Sequence, residues 1–298
     1  MKDYFSAFRD YLIYQKSVSK NTLDSYSRDM EHFLAFLAEN GMENPADATT
    51  ETMDAYVKNL SSLHRSTSTI TRNMASIRCF YQFLVIRGEI VQNPAKAIRL
   101  EKIQRKLPEI LSGEEIELLF SQPDIREPKG CRDKAMLELL YATGIRVSEL
   151  VELNVSDVNL TAGMLRCKKE GKAERMIPIY STAIAAVSDY LFRVRNTIIG
   201  PDGGHALFTN LNGRRMTRQG FWKIIKGYTE QANITKEITP HTLRHSFALH
   251  LLENGAALKD IQVMLGHADI SSTQIYVHLL NHHFKEVYNN CHPKAKLG

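Results

Sequence analysis

The chain has 298 residues, of which 43% are hydrophobic and 24% are charged, and its formal net charge at pH 7 is +5. This length and balance predict a globular protein with room for two domains, and they exclude a disordered or fibrous chain. The sequence has no run of about 18 apolar residues, so we expect neither a transmembrane helix nor a membrane partner.

The four cysteines are scattered along the chain and form no C-x-x-C pair. This pattern fits free thiols in a reducing compartment and argues against a cysteine-based zinc site. The N-terminal stretch MKDYFSAFRDYLIYQK is amphipathic and contains acidic residues, without the apolar core of a signal peptide. We therefore expect a cytoplasmic protein. Its mild positive charge permits nucleic-acid binding without requiring it.

Residues 1–92 are predicted to form a helical domain. The stretch SKNTLDSYSRDMEHFLAFLAENG begins with polar residues that can cap a helix, repeats apolar residues at helical spacing and ends at Gly41. The stretches TTETMDAYVKNL and STSTITRNMASIRCFYQFLVIRG follow the same pattern, which together predicts a bundle of about four helices. This domain also contains several basic residues, which either face phosphates or are ordinary solvated charges: Lys20, Arg28, Arg65, Arg72 and Arg78.

Residues 93–108, NPAKAIRLEKIQRKLP, are predicted to be a linker. The segment carries five basic residues against one acidic residue, and prolines bracket it. A basic linker can follow a nucleic-acid backbone, and a plain flexible tether has the same composition.

Residues 109–298 are predicted to form a second domain, mainly α-helical with a small antiparallel β-sheet. Ser112 and Glu115 form a capping box, and GCRDKAMLELLYATG is a helix that ends at Gly144. The stretches MLRCK and ERMIPI are predicted strands joined by a turn around KEGKA. The later predicted helices cover residues 181–198, 217–232, 240–254, 258–265 and 271–279.

The stretch TPHTLRHSFALHLLENG places His241, Arg244 and His245 on one side of a helix that Thr239 can cap. The H-x-x-x-H spacing suits zinc, but Thr242 stands where the H-E-x-x-H motif has its glutamate, and the arginine repels a cation. A phosphate fits better, because a helix N-terminus offers free N–H groups and arginine is a forked donor. The other alternative is a solvated helix face with incidental histidines.

Two further segments carry residues that could complete an anion site. In ATGIRVSEL, Arg146 begins a helix and Glu149 lies three residues later, where it can orient the arginine. In LGHADISSTQIYVHLL, His267 follows a glycine at a helix end and Tyr276 follows nine residues later. Taken singly, the first pair is a helix start with an ion pair, and a lone tyrosine is normally a core or interface residue.

Together these segments resemble the tyrosine recombinase (phage integrase) family and, within it, the Xer-type site-specific recombinases. The matching pieces are SKNTLDSYSRDMEHFLAFL, ATGIRVSEL, TPHTLRHSFALHLLENG and IQVMLGHADISSTQIYVH, and their order matches as well. The resemblance covers nearly the whole chain. It implies a SAM-like core-binding domain followed by a catalytic domain, and a site-specific recombinase that cuts and rejoins DNA through a covalent 3′-phosphotyrosine intermediate.

The resemblance also implies how the scissile phosphate is held. Arg146 and Arg244 look like the two arginines that clamp it, and His267 is similar to a second histidine that hydrogen-bonds it. Glu149 matches an acidic supporting position. Two guanidinium groups can neutralise the oxygens of the phosphate, so no metal and no cofactor are expected.

For the reaction itself, the resemblance makes Tyr276 the nucleophile and His241 the general acid/base. A tyrosine is mostly protonated at pH 7, so it needs help to become nucleophilic. No role in the family pattern falls on His245, which we expect to be structural.

One departure from the family concerns its catalytic lysine, which lies in the turn between the two strands and protonates the leaving 5′-oxygen. Counted back from the pair Glu174 and Arg175, the lysine position falls on Glu170, and a carboxylate cannot act as a cationic acid. We assign the role to Lys172, with Lys169 as the alternative. A third interpretation is that these lysines only contact phosphate or water.

The partner implied by the resemblance is a duplex DNA recombination site. Recombination of this type requires four protomers on two DNA sites, so a homo- or hetero-tetramer is expected, the latter with a second Xer-type recombinase. The implied role is chromosome dimer resolution. The alternatives are an integrase or excisionase-type recombinase of a mobile element and a non-catalytic DNA-binding protein of the same fold.

Overall fold

The computed structural model describes residues 4–100, 108–168, 174–200 and 204–291, with the backbone alone over 282–291. The chain divides into two compact units, Met1–Arg105 and Lys106–Gly298. The boundaries set above around the linker remain a prediction, since residues 101–107 lie outside the described part. Among the described residues, no helix is both long and apolar enough to cross a lipid bilayer.

The described part of the first unit is helical, as predicted. Its four α-helices are α1 (Tyr4–Asp10), α2 (Lys20–Glu39), α3 (Thr50–Ser62) and α4 (Thr67–Ile86). Helix α1 continues as a π-helical turn over Tyr11–Gln15, and short 3₁₀ turns lie at Pro45–Asp47 and Pro94–Lys96. Hydroxyl side chains cap three of the helices, because each accepts a hydrogen bond from a backbone N–H of the first turn: Ser19, Thr49 and Ser66.

The basic residues noted in the first unit have different environments. Four of them are exposed: Lys20, Arg28, Arg65 and Arg72. Arg78 instead donates hydrogen bonds from Nε to the carbonyl of Ala95 (3.0 Å) and from Nη2 to the carbonyl of Ile98 (2.7 Å). Arg78 therefore holds the start of the predicted linker against the helical unit, a role that neither sequence interpretation included.

The second unit is mainly helical, with one small sheet. The helices before the sheet are α5 (Gly113–Phe120), α6 (Pro128–Thr143) and α7 (Val147–Glu152). After the sheet, α8 (Ser181–Asp189) runs through a π-helical turn (Tyr190–Arg195) into α9 (Asn196–Ile198). The remaining helices are α10 (Arg218–Gln231), α11 (Pro240–Glu253), α12 (Leu258–Leu265) and α13 (Ser271–Cys291).

The sheet has three antiparallel strands in the order β1 (Val158–Asn159), β2 (Met164–Cys167) and β3 (Arg175–Pro178). Strands β2 and β3 coincide with the two predicted strands. Cys167 and Arg175 form the last residue pair before the turn that joins them. Strand β1 was not predicted, because two residues are too short to show a period. The turn residues 169–173, which include Lys169 and Lys172, lie outside the described residues.

Helix α6 ends at Gly144, whose backbone is in the left-handed region with φ of 57°. A Cβ atom at this position would lie 2.3 Å from Cδ1 of Phe247. Phe247 and Leu243 form part of the buried face of α11. The missing side chain therefore lets α11 pack directly against the end of α6.

Replacing Gly144 by alanine is expected to lower the free energy of unfolding by about 2 to 5 kcal/mol, since left-handed backbone costs about 1 to 2 kcal/mol and overpacking about 1 to 3. Chemical denaturation measures the loss. Gly255→Ala is the matched control, because Gly255 has φ of +88° but no atom within 4 Å of the added Cβ. Equal losses in the two variants would show that the contact with Phe247 contributes nothing.

Candidate active site

The opening turn of α11 is built as the sequence predicts. Thr239 caps it: the Thr239 hydroxyl accepts from the N–H of Thr242 (3.3 Å), and the Thr242 hydroxyl accepts from the N–H of Thr239 (3.1 Å). Pro240 occupies the first helical position. Thr242 stands where a zinc-hydrolase helix would carry glutamate, and here it completes a capping box.

Arg244 is the central residue of the site. Its side chain is buried, with 4% of the residue exposed. The guanidinium donates to the carbonyl of Gly144, to the carbonyl of Leu265 (2.7 Å) and to Nε2 of His267 (3.0 Å). One arginine thus joins the ends of α6 and α12 to the loop that follows α12, and the left-handed Gly144 presents its carbonyl to it.

The contact with Arg244 fixes the protonation of His267. A guanidinium can only donate, so Nε2 of His267 accepts and the ring proton lies on Nδ1. Nδ1 then donates to the hydroxyl of Thr273 (2.9 Å), at the start of α13. His267 is therefore a neutral ring held between the central arginine and the helix that carries Tyr276.

Arg146 and Glu149 are paired as the sequence predicts, and a third residue joins them. The N–H of Arg146 donates to Oε2 of Glu149 (2.7 Å), and Nη1 lies 3.4 Å from Oε1. Arg175, on β3, donates to both oxygens of the same carboxylate at 3.1 and 2.9 Å, and its Nε donates to the carbonyl of Met264. Glu149 is thus shared by two arginines.

Arg175 was missed as a site residue. It lies 26 positions from Glu149, and no local motif marks it. The only signal for it in the sequence was its position just after the turn KEGKA, where the catalytic lysine was expected. The guanidinium of Arg175 packs against Gly266, where a side chain would not fit, because a Cβ there would lie 2.6 Å from Nη1 of Arg175.

The electrostatics of the site are dominated by crowded positive charge. Burial and the neighbouring charge of Arg146 lower the pKa of Arg244 to about 10, so it stays protonated at neutral pH. Burial acts to raise the pKa of Glu149, but the hydrogen bonds from Arg175 and Arg146 outweigh it and hold the pKa below its usual range. The site is therefore prepared for an anion.

Tyr276 is inside the protein, with 1% of its surface exposed. Burial raises its pKa, partly offset by the charges of Arg244 and Arg146. The hydroxyl lies 3.0 Å from Nδ1 of His245, and the ring centroids are 5.6 Å apart. His245, for which only a structural role was expected, therefore contacts the predicted nucleophile directly.

His241 lies exposed in the first turn of α11, and its ring centroid is 6.4 Å from that of His245. Partial desolvation and the charges of Arg244 and Arg146 lower the pKa of His241, so its imidazole is neutral at pH 7. Within the described residues, no group of three His, Cys, Asp or Glu side chains is placed to hold a metal ion.

Two family models match the chain. The phage integrase family matches residues 109–283. The N-terminal SAM-like domain of phage integrases matches residues 5–88. The two matches follow the same order as the two compact units.

Similar proteins span the same length. Tyrosine recombinase XerD of Oceanobacillus iheyensis is 46% identical over 97% of both chains. Tyrosine recombinase XerD of Halalkalibacterium halodurans is 43% identical over 94% of both chains. A solved structure, the XerH site-specific recombinase bound to a palindromic difH substrate in a post-cleavage complex, has a TM-score of 0.75 and 20% identity. The match covers 96% of this chain and 84% of the XerH chain, and at this identity it supports only the fold.

Proposed function

The chain belongs to the phage integrase family of tyrosine recombinases, and on this basis we propose that it resolves chromosome dimers as a Xer-type recombinase. It is an enzyme that recombines DNA at specific sites. The Xer-type role is supported by relatives named XerD that match nearly end to end. The alternative is the integration or excision of a mobile element, which uses the same chemistry on a different DNA site.

The observation that carries the catalytic assignment is the set of contacts made by Arg244. The scissile phosphate would lie beside Arg244 and Arg146, whose guanidinium groups neutralise its non-bridging oxygens and the charge that grows on them during attack. Glu149 pairs with Arg146, with Oε1 3.4 Å from Nη1 of the arginine. The contacts of Arg244 hold its guanidinium in place, so little reorientation of this group is needed in the reaction.

The remaining roles are proposed from the chain's membership of the family. Tyr276 supplies the oxygen that attacks phosphorus and forms the 3′-phosphotyrosine bond. His267, next to Arg244, is assigned to the phosphate, and its Nε2 must leave the arginine or gain a proton before it can donate. His241, exposed and with a lowered pKa, is assigned to proton exchange with the substrate.

Lys172 is proposed as the acid that protonates the leaving 5′-oxygen, with Lys169 as the alternative. A lysine is suited to this step because it is a cation that can give up its proton. Lys172→Ala should slow cleavage of an ordinary 5′-oxygen substrate by about 10² to 10⁴, and Lys169→Ala should leave it nearly unchanged. If neither variant is slower, the acid is another group.

The enzyme's partner is duplex DNA, and we propose that it assembles on two recombination sites as a tetramer. The tetramer would be either homomeric or shared with a second Xer-type recombinase. Because its substrate is cellular DNA, we expect it to act in the cytoplasm.

The proposed function is tested by selecting bound DNA and then presenting the selected site as a nicked suicide substrate. The short fragment beyond the nick diffuses away after cleavage, so the covalent protein–DNA complex accumulates. Mass spectrometry should place the DNA on the peptide that contains Tyr276. EDTA should not change the rate, since the arginines take the role that a metal has in other nucleases. A protein that binds its site but forms no adduct would be a non-catalytic DNA-binding protein.

A further inference from the structure

His245 contacts the atom on which the reaction depends, although none of the roles above uses it. Its Nδ1 lies 3.0 Å from the hydroxyl oxygen of Tyr276. Among the described residues the hydroxyl has no other hydrogen-bond partner. The two residues come from different helices, α11 and α13, so the contact depends on tertiary packing.

The direction of this hydrogen bond follows from burial. If Nδ1 carried a proton and donated it, the O–H of Tyr276 would have no acceptor among the described residues, at a position with 1% exposure. A buried donor without a partner costs about 1 to 3 kcal/mol. The arrangement that satisfies both groups has Tyr276 donating to Nδ1, with the ring proton of His245 on Nε2.

We propose that His245 is a catalytic residue that accepts the proton of Tyr276 as the tyrosine attacks the scissile phosphate. The inference rests on the proposed function, in which Tyr276 is the nucleophile. The Oη–H bond breaks and its proton passes to Nδ1 while the Oη–P bond forms. The P–O5′ bond breaks, and the 5′-oxygen takes a proton from the general acid assigned to Lys172. In rejoining, the attacking 5′-hydroxyl returns its proton to that acid, and His245 returns its proton to Tyr276.

The electrostatic surroundings keep His245 ready to accept. Among the described residues, the charged or titratable groups that act on the pair are His241 and Arg244 on α11, Arg146 before α7 and Tyr276 itself. Burial, His241 and Arg244 lower the pKa of His245 to about 4, so the ring is neutral at pH 7 and its Nδ1 lone pair is available. A bound phosphate would offset the arginine charges and raise the proton affinity of His245 when the tyrosine attacks.

His241 is less well placed for this step. It is exposed, its ring centroid is 6.4 Å from that of His245, and no hydrogen bond joins it to Tyr276 among the described residues. The two histidines therefore have different roles in this proposal. His245 accepts the proton of the nucleophile, and His241 exchanges protons with the substrate.

The test is His245→Asn, in which an amide oxygen near the position of Nδ1 can accept the hydrogen bond but cannot take the proton. Adduct formation on the nicked substrate is measured in single turnover between about pH 6 and pH 9. We expect a rate about 10² to 10⁴ lower than wild type at pH 7. The deficit should shrink about tenfold per pH unit, because hydroxide replaces the missing base.

His250→Asn is the matched control. His250 lies on the same helix, and its Nδ1 is 2.7 Å from the hydroxyl of Tyr141, outside the site. This variant should keep the wild-type rate and pH profile. A second variant, His245→Ala, serves if the asparagine variant does not fold, and free imidazole should restore its cleavage.

A His245→Asn rate within about threefold of wild type, or a deficit that is equal at every pH, would overturn the proposal. So would a His245→Ala variant that folds and does not respond to imidazole. Failure of the proposed function itself looks different, because wild-type protein would then form no adduct.

Discussion

A Tyr276→Phe variant is expected to bind DNA and form no covalent complex with it. The phenyl ring fits the same buried place, but the oxygen that forms the ester with phosphorus is gone, so the covalent step has no substitute. The variant loses one hydrogen bond, to Nδ1 of His245. Nδ1 of His245 is then left without its partner, so the free energy of unfolding should fall by about 1 to 3 kcal/mol. Denaturing gel electrophoresis after incubation with the nicked substrate measures the adduct, and a gel shift measures binding.

Tyr141→Phe is the control for this substitution. Tyr141 also donates to, or accepts from, a histidine of α11, at 2.7 Å, and loses the same kind of contact when the hydroxyl is removed. The control should form adduct at the wild-type rate. An adduct in Tyr276→Phe would mean that another residue is the nucleophile and that the central assignment is wrong.

Arg244→Lys is expected to lower the rate of cleavage by about 10² to 10³, the range found when one donor to a developing oxyanion is removed. Lysine keeps the positive charge but is a point donor, and it cannot reach the Gly144 carbonyl, the Leu265 carbonyl and His267 together as the guanidinium fork does. The phosphate would then lose an oriented partner. Single-turnover adduct formation at saturating protein measures the chemical step.

Arg244→Ala should be slower still, and it also removes the guanidinium donor from the buried carbonyls of Gly144 and Leu265. Arg215→Lys is the matched control, because Arg215 donates to two backbone carbonyls, those of Val151 and Leu153 at the end of α7, and to none of the proposed catalytic side chains. It should lower stability and leave the rate of cleavage nearly unchanged. If Arg244→Lys cleaves as fast as Arg215→Lys, Arg244 is only a structural residue.

The features of the fold that could be predicted from the sequence are those encoded locally. The capping box at Ser112, the N-cap at Thr239 and the helix end at Gly144 were all predicted from a few neighbouring residues, and all are present. The two-residue strand β1 was not, because so short a strand has no periodicity.

In the site, too, only contacts between residues close together in the sequence could be predicted. The pairing of Arg146 with Glu149 is local, three residues apart, and was predicted. Arg175 was not, because its partner is brought to it by the sheet. His245 was expected to be structural, and its contact with Tyr276 could not be derived from either helix alone, since it depends on how α11 and α13 pack.

The sharing of Glu149 has a consequence for how evolution can change this protein. One carboxylate pairs with both Arg146 and Arg175, and Arg244 lies near enough that, besides burial, the charges of these arginines lower its pKa. Besides burial, the charge of Arg146 lowers the pKa of Arg244, so the two cations repel each other, and a neutral side chain in place of Arg146 would relieve that repulsion. Selection for stability therefore favours the loss of the charges that the reaction needs, and only continued selection for recombination can preserve them.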